Sequence, residues 1–208
     1  MIVFIPILFF SIILHEFAHG YVAYRLGDDT AYYAGRLTLN PLRHVDPVGT
    51  IGVPLLCYVM GLPLFGWAKP VPVNPLRLPS PRKDMGKVAL AGPVINLILA
   101  VLFALLLKAV LLGQGFLGAE VVKSALVFLQ YGILVNVMLA VFNLLPIVPL
   151  DGGRIVTALL PVRAALAYDR FFSRWGMWLV IVLILTGAVR YLLLPPATLV
   201  LTLISKIL

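Results

Sequence analysis

The chain has 208 residues, 62% of them hydrophobic and only 12% charged, with 16 Lys+Arg against 8 Asp+Glu and a net charge of +8. A soluble domain carries about 25% charged residues, so this composition cannot cover a water-facing surface, and it excludes a disordered, collagen-like or disulfide-stapled secreted chain. The single Cys57 has no second cysteine to pair with and reads as packing. The positive balance reads as Lys and Arg sorted across a bilayer, with no nucleic-acid partner expected.

In chain order, four stretches reach the roughly 20 apolar residues that a spanning helix needs: about 2–25, 88–112, 126–150 and 174–194. The first lacks a basic leader and carries His15, Glu16 and His19 inside its apolar run, so it is expected to be retained rather than cleaved as a signal peptide. The stretch 47–66 is shorter and is broken by Gly49, Gly52, Pro54, Gly61, Pro63 and Gly66, which makes it a poor spanning helix. On either side, GRLTLNP (35–41) and WAKPVPVNP (67–75) alternate and carry prolines, which predicts short strands or extended segments. The tail 197–208, after Pro195-Pro196, is too short to cross and is expected at the interface. The expected fold is an all-α polytopic membrane protein. It forms one domain over 1–208, with a three-helix core, at least one further transmembrane helix, a re-entrant loop within about 35–75, and short strands.

The chemistry begins at His15-Glu16-Phe17-Ala18-His19, an HExxH pattern in helical context. Residues four apart on a helix lie on one face about 6 Å apart, so both imidazoles can reach one metal ion, and Glu16 beside them can take a proton from water. Two histidines and a glutamate at hydrocarbon depth are costly, and ionisable groups there are functional by default. A catalytic zinc takes three protein ligands and leaves a fourth position for water. Glu120 sits beside Lys123 in a loop and reads as solvated, whereas Asp151 closes the apolar run FNLLPIVPLDGG (142–153). Asp151 is taken as the third ligand, the alternative being a helix cap in the headgroups. The expected cofactor is one Zn2+ per chain, although iron, cobalt or manganese accept the same ligand types.

HEFAH (15–19), AGPVIN (91–96) and NLLPIVPLDGG (143–153) together resemble, in order and spacing over nearly the whole chain, the three motif segments of the site-2 protease family of intramembrane zinc metalloproteases. GRLTLNP, HVDP and WAKPVPVNP are similar to a compact bacterial branch of it, without the PDZ or CBS domains of many members. The resemblance implies His15, His19 and Asp151 as zinc ligands, Glu16 as catalytic base, and Asn96 and Asn143 near the scissile peptide. Read from the residues alone, each asparagine has a second account, a hydrogen bond between spanning helices. His44 and Asp46 fit either support for the metal ligands or an Asx-type turn before Pro47. Trp67 and Lys69 fit an interfacial anchor.

Topology follows from two requirements. At about 1.5 Å per residue, His15 lies nearer the exit face of the first helix. Asp151 reaches it from that face only if 47–66 enters and returns. On this path twelve of the basic residues share that face, leaving Lys108, Lys123, Arg190 and Lys206 opposite, whereas a crossing segment would divide them nine to seven. The positive-inside rule favours the first division, so a multi-pass cell-membrane protein is expected, with its N-terminus outside and its active site toward the cytoplasm. The expected activity is hydrolysis of single-pass transmembrane proteins. A metal transporter or channel using the same His and Asp residues is the competing reading, and Glu16 separates the two, since transit needs no base beside the ligands. A catalytically dead scaffold is disfavoured because every motif residue is present. Histidines must be neutral to bind metal, so activity is expected to fall in acid. Substrates, trigger and oligomeric state are not legible.

Overall fold

A computed structural model describes residues 4–61 and 66–208, so residues 2–3 of the first expected helix and 62–65 of the expected re-entrant segment lie outside the described residues. The described residues form eight α-helices: α1 (Phe4–Arg25), α2 (Thr30–Tyr33), α3 (Val53–Val59), α4 (Pro81–Leu112), α5 (Ala119–Asn143), α6 (Asp151–Leu159), α7 (Val162–Leu185) and α8 (Val189–Ser205). Three of them, α1, α4 and α5, are long and apolar enough to cross a membrane singly. α7 and α8 meet that test as a pair bent by 83°. The protein is a multi-pass membrane protein.

Helix boundaries depart from the hydropathy pattern for identifiable reasons. α4 starts at Pro81 rather than near 88. Proline suits the first helical turn, and Asp84 Oδ2 accepts from the Ser80 N–H at 2.7 Å. The charged residues 82–87 are therefore helix projecting beyond the apolar run. α5 begins at Ala119 and stops at Asn143 rather than running from 126 to 150. Pro146 and Pro149 cannot continue it, since each lacks the N–H and clashes with the preceding turn. Asp151 is consequently not the end of the third core helix but the first residue of α6. Gly152 and Gly153 are not the turn; they lie buried in that helix against the backbone of residues 144–148. The helix expected at 174–194 is two helices. Gly187 adopts φ +69°, a left-handed conformation that ends helices, and the chain bends there. The tail is part of a longer helix: α8 runs through Pro195-Pro196 and buries Leu193, Ala197 and Ile204 in one cluster with Ala100, Ala104, Leu129 and Ile133 of α4 and α5.

The two extended segments make no sheet among the described residues, which corrects the expectation of strands. Backbone polar groups need partners wherever they are buried, and here side chains supply several of them. Arg36 donates through Nη2 to the carbonyls of Lys69 (2.7 Å) and Pro70 (3.2 Å) and through Nη1 to that of Arg43. Fully buried Asp28 accepts the Asn74 N–H at 2.6 Å. Asp46 accepts from the N–H groups of Val48 and Gly49, capping a π-helical turn at Pro47–Gly52, which settles it as a turn residue. His44 is fully buried and bonds the Thr38 carbonyl through Nε2 at 2.8 Å, away from the histidines of α1.

α1 and α4 run antiparallel: the Asn96 side chain bonds the Ser11 carbonyl, and His19 bonds the Val88 carbonyl. Arg25 and Pro81 thus lie at the same end of the helix pair, and the chain between them must return to the end it left. The limbs of that excursion meet, the Trp67 N–H donating to Gly49 O at 3.0 Å and the Lys69 N–H to His44 O at 2.9 Å.

Candidate metal centre

His15 and His19, one turn apart on α1, face α4, and each imidazole is oriented there through Nδ1. His19 Nδ1 lies 2.7 Å from the Val88 carbonyl, which can only accept, so that nitrogen carries the proton. His15 Nδ1 donates to Asn96 Oδ1 at 2.6 Å. In the neutral imidazole each ring then presents a bare Nε2, and the two Nε2 atoms converge at 3.0 Å. Asp151 Oδ2 completes a triangle, 3.1 Å from His15 Nε2 and 3.3 Å from His19 Nε2, and this buried oxygen has no hydrogen-bond donor. Three lone pairs facing one another without a proton repel unless a cation lies among them. A tetrahedral ion bound at about 2.0–2.2 Å sets its donors about 3.3 Å apart, close to the spacing seen, so the residues fit zinc.

The approach of α4 depends on Gly92 having no side chain. A Cβ there would lie 2.5 Å from His15 Cε1, His15 Nε2 and His19 Nε2. Asp151 is delivered by α6, which is pinned along the start of α4 by the Arg82 bond to the Leu160 carbonyl at 2.7 Å. Tyr168 of α7 bonds the Pro146 carbonyl at 2.7 Å and steadies the loop leading to the ligand.

Glu16, half-buried beside the first ligand, accepts the Val71 N–H through Oε2 at 2.8 Å. It is held between α1 and the extended segment 66–74, whose far end Asp28 fixes and whose near end Arg36 fixes. The structure thus brings together His15, His19, Asp151 and Glu16. Asn143 ends α5, where the chain turns toward Asp151, and its Nδ2 donates to the Leu139 carbonyl at 2.9 Å. Asn96 takes the second of its two accounts, the hydrogen bond between spanning helices: it is fully buried and bonded to His15, Asn136 and Ser11. Val88, Gly92 and Val71 act through backbone, which side-chain motifs do not reveal. Asn136 carried one signal, an amide in an apolar helix that also holds Gln130 and Asn143. Arg36 and Asp28 read only as charges.

Two imidazoles, a carboxylate and an adjacent glutamate brought together among apolar helices fit a metallohydrolase. The model of peptidase family M50 matches residues 58–186, which include Asp151 but not the HExxH of α1. YwhC of Bacillus subtilis, a zinc metalloprotease by name, is 44% identical over 189 residues, covering 89% of this chain and 81% of that protein. Rip2 of Mycolicibacterium smegmatis, also a zinc metalloprotease by name, is 36% identical over 183 residues, 86% of this chain and 65% of its own. The zinc metalloprotease MJ0392 of Methanocaldococcus jannaschii is 24% identical over 182 residues, 87% of this chain and 41% of its own. No solved structure matches the chain. The chain belongs to peptidase family M50 and is a zinc metalloprotease, with His15, His19 and Asp151 as the residues that fit the ion.

Proposed function

We propose that this metalloprotease cuts single-pass transmembrane proteins within the bilayer, near the cytoplasmic face of the cell membrane. The observation that carries the reading is the position of the site: two unprotonated imidazole nitrogens and a carboxylate oxygen converge among helices whose outer faces are apolar. Phe10, Leu102, Leu106 and Val121 are among the side chains exposed there. His19 is level with Val88, one residue beyond Lys87, so the ligands lie a turn or two inside the charged end of α4. The basic residues crowd that end, while Lys108 at the other end bonds the Ile207 carbonyl beside Lys206 at 2.6 Å. With the positive-inside rule, this favours a cytoplasmic site and an N-terminus outside.

Bound zinc supplies an electrophile for the scissile carbonyl and lowers the pKa of water toward neutrality. Glu16 takes the proton of the attacking water and hands it to the leaving amine, its carboxylate oriented by the Val71 N–H. A substrate helix hides its carbonyls in its own hydrogen bonds and must unwind first. The extended segment 66–74 offers the unwound stretch a backbone to pair with. Asn143, at the turn toward the ligand loop, has a second N–H to offer the developing oxyanion.

Two measurements test the proposal. Protein reconstituted in liposomes with a model single-pass substrate is expected to cleave within the cytoplasmic part of the substrate's apolar segment and to stop on chelation. A preparation that moves zinc across the membrane and cleaves nothing would sink the reading. In a Cys57→Ser background, single cysteines replacing Tyr33 and Lys83, before and after the excursion, are expected to label from the cytoplasmic side alone. Labelling from opposite sides would rule out the return path.

A further inference from the structure

Behind His15 the helices bury a chain of amides. Ser11, Asn96 and Asn136, from α1, α4 and α5, are all fully buried. Asn96 Nδ2 donates to Asn136 Oδ1 at 2.9 Å and to the Ser11 carbonyl at 3.4 Å. Asn136 Nδ2 donates to Ser11 Oγ and to the Gly132 carbonyl, both at 2.9 Å. An amide side chain can be turned end for end, so what matters is where the chain of bonds is anchored. Two backbone carbonyls, which can only accept, anchor it: Gly132 O at 2.9 Å from Asn136 and, at the longer 3.4 Å, Ser11 O from Asn96. Asn136 must therefore turn its NH2 to Gly132, which leaves its oxygen facing Asn96. Asn96 must in turn present its NH2 to that oxygen, and so its own oxygen to His15. His15 is thereby left with the proton on Nδ1 and its bare Nε2 toward Asp151. Reversing any member sets two acceptors or two donors against each other among fully buried side chains, where an unmet polar group is costly.

We infer that Asn136, which touches neither ligand nor substrate, is a positioning residue for the metal: it fixes the direction of the amide chain and through Asn96 the tautomer of His15. Free histidine divides between its two tautomers, and a protonated Nε2 cannot bind zinc. The chain removes that alternative before the ion arrives. The inference rests on the zinc site and is independent of which protein is cut.

The test is a double-mutant cycle read by zinc affinity, measured on purified protein by competition with a chromophoric chelator. Removing an outer partner of a metal-binding histidine costs about 10–100-fold in affinity. Asn136→Leu, close in size, is expected to weaken zinc about tenfold, and Asn96→Leu at least as much. The double variant is expected to be no weaker than Asn96→Leu alone, because Asn136 acts only through Asn96. Asn136→Asp, protonated in this apolar setting, keeps an oxygen for Asn96 and a hydroxyl for Gly132, so it is expected to bind zinc as the wild type does. Wild-type affinity in Asn136→Leu, or additive losses in the double variant, would overturn the inference. A merely structural role would lower the unfolding temperature of the zinc-free variants without this pattern. If Asn136→Leu does not fold, nitrogen NMR of the zinc-loaded wild type decides. A strongly hydrogen-bonded proton on His15 Nδ1 supports the relay, and zinc on Nδ1 overturns it. A wild type that holds no zinc would sink the metal site together with the relay, whereas normal zinc binding with no effect in the cycle sinks the relay alone.

Discussion

Glu16→Gln is expected to bind zinc as tightly as the wild type and to cut substrate about 10²–10⁴-fold more slowly, the usual contribution of a positioned acid or base. The substitution changes little besides the capacity to take a proton. Glutamine keeps the length and an oxygen for the Val71 N–H, so the segment 66–74 should stay in place, and the three atoms that converge at 3.0–3.3 Å belong to other residues. Zinc content by elemental analysis and cleavage of a reconstituted substrate give the two numbers. Normal zinc with undiminished cleavage would remove Glu16 from the mechanism. Lost zinc would make it a ligand rather than a base.

Gly92→Ala is expected to do the reverse, disabling metal binding while leaving the base untouched. The added methyl would stand 2.5 Å from ring atoms of both histidines, about 1 Å inside the 3.5–4.0 Å at which such atoms rest. α4 can back away only by stretching the bonds that orient the two rings, His19 to Val88 and His15 to Asn96. Zinc affinity should fall at least as far as when an outer partner of a ligand is deleted, about 100-fold, and activity with it. Chelator competition reads the first and substrate cleavage the second. A variant with wild-type affinity would show that the helices are farther apart than described.

The three residues that fit the ion, and Glu16 beside them, were legible because a bilayer makes them so: ionisable groups stand out against long apolar runs. Hydropathy reports where a helix meets lipid, not where it begins. It therefore missed the charged first turns of α4 and the amphipathic start of α7, and ran α5 past two prolines. Period-two alternation did give non-helical backbone at 67–74, whereas 35–41 is built of turns and bends. It could not say that the partners of 67–74 would be the side chains of Glu16 and Asp28, 55 and 46 positions away. For Asn96 the two accounts, substrate contact and interhelix hydrogen bond, stay open in the sequence because its neighbours in space are hidden until α1, α4 and α5 are set in register. Only then does Asn136 stand behind it.

That register has a consequence for which changes the chain can absorb. Along α1 and α4 the contacts recur a turn apart, Ser11 with Asn96, His15 with Gly92, His19 with Val88. Each residue added to a helix turns everything beyond it by about 100°. Exchanging one lipid-facing aliphatic residue for another leaves these levels aligned. Gaining or losing a single residue between Ser11 and His19 would send part of the set round to the lipid. The stretch is free in composition on its outer side and fixed in count, so a gain or loss of residues is better absorbed elsewhere, as in the connection at 113–118 between α4 and α5.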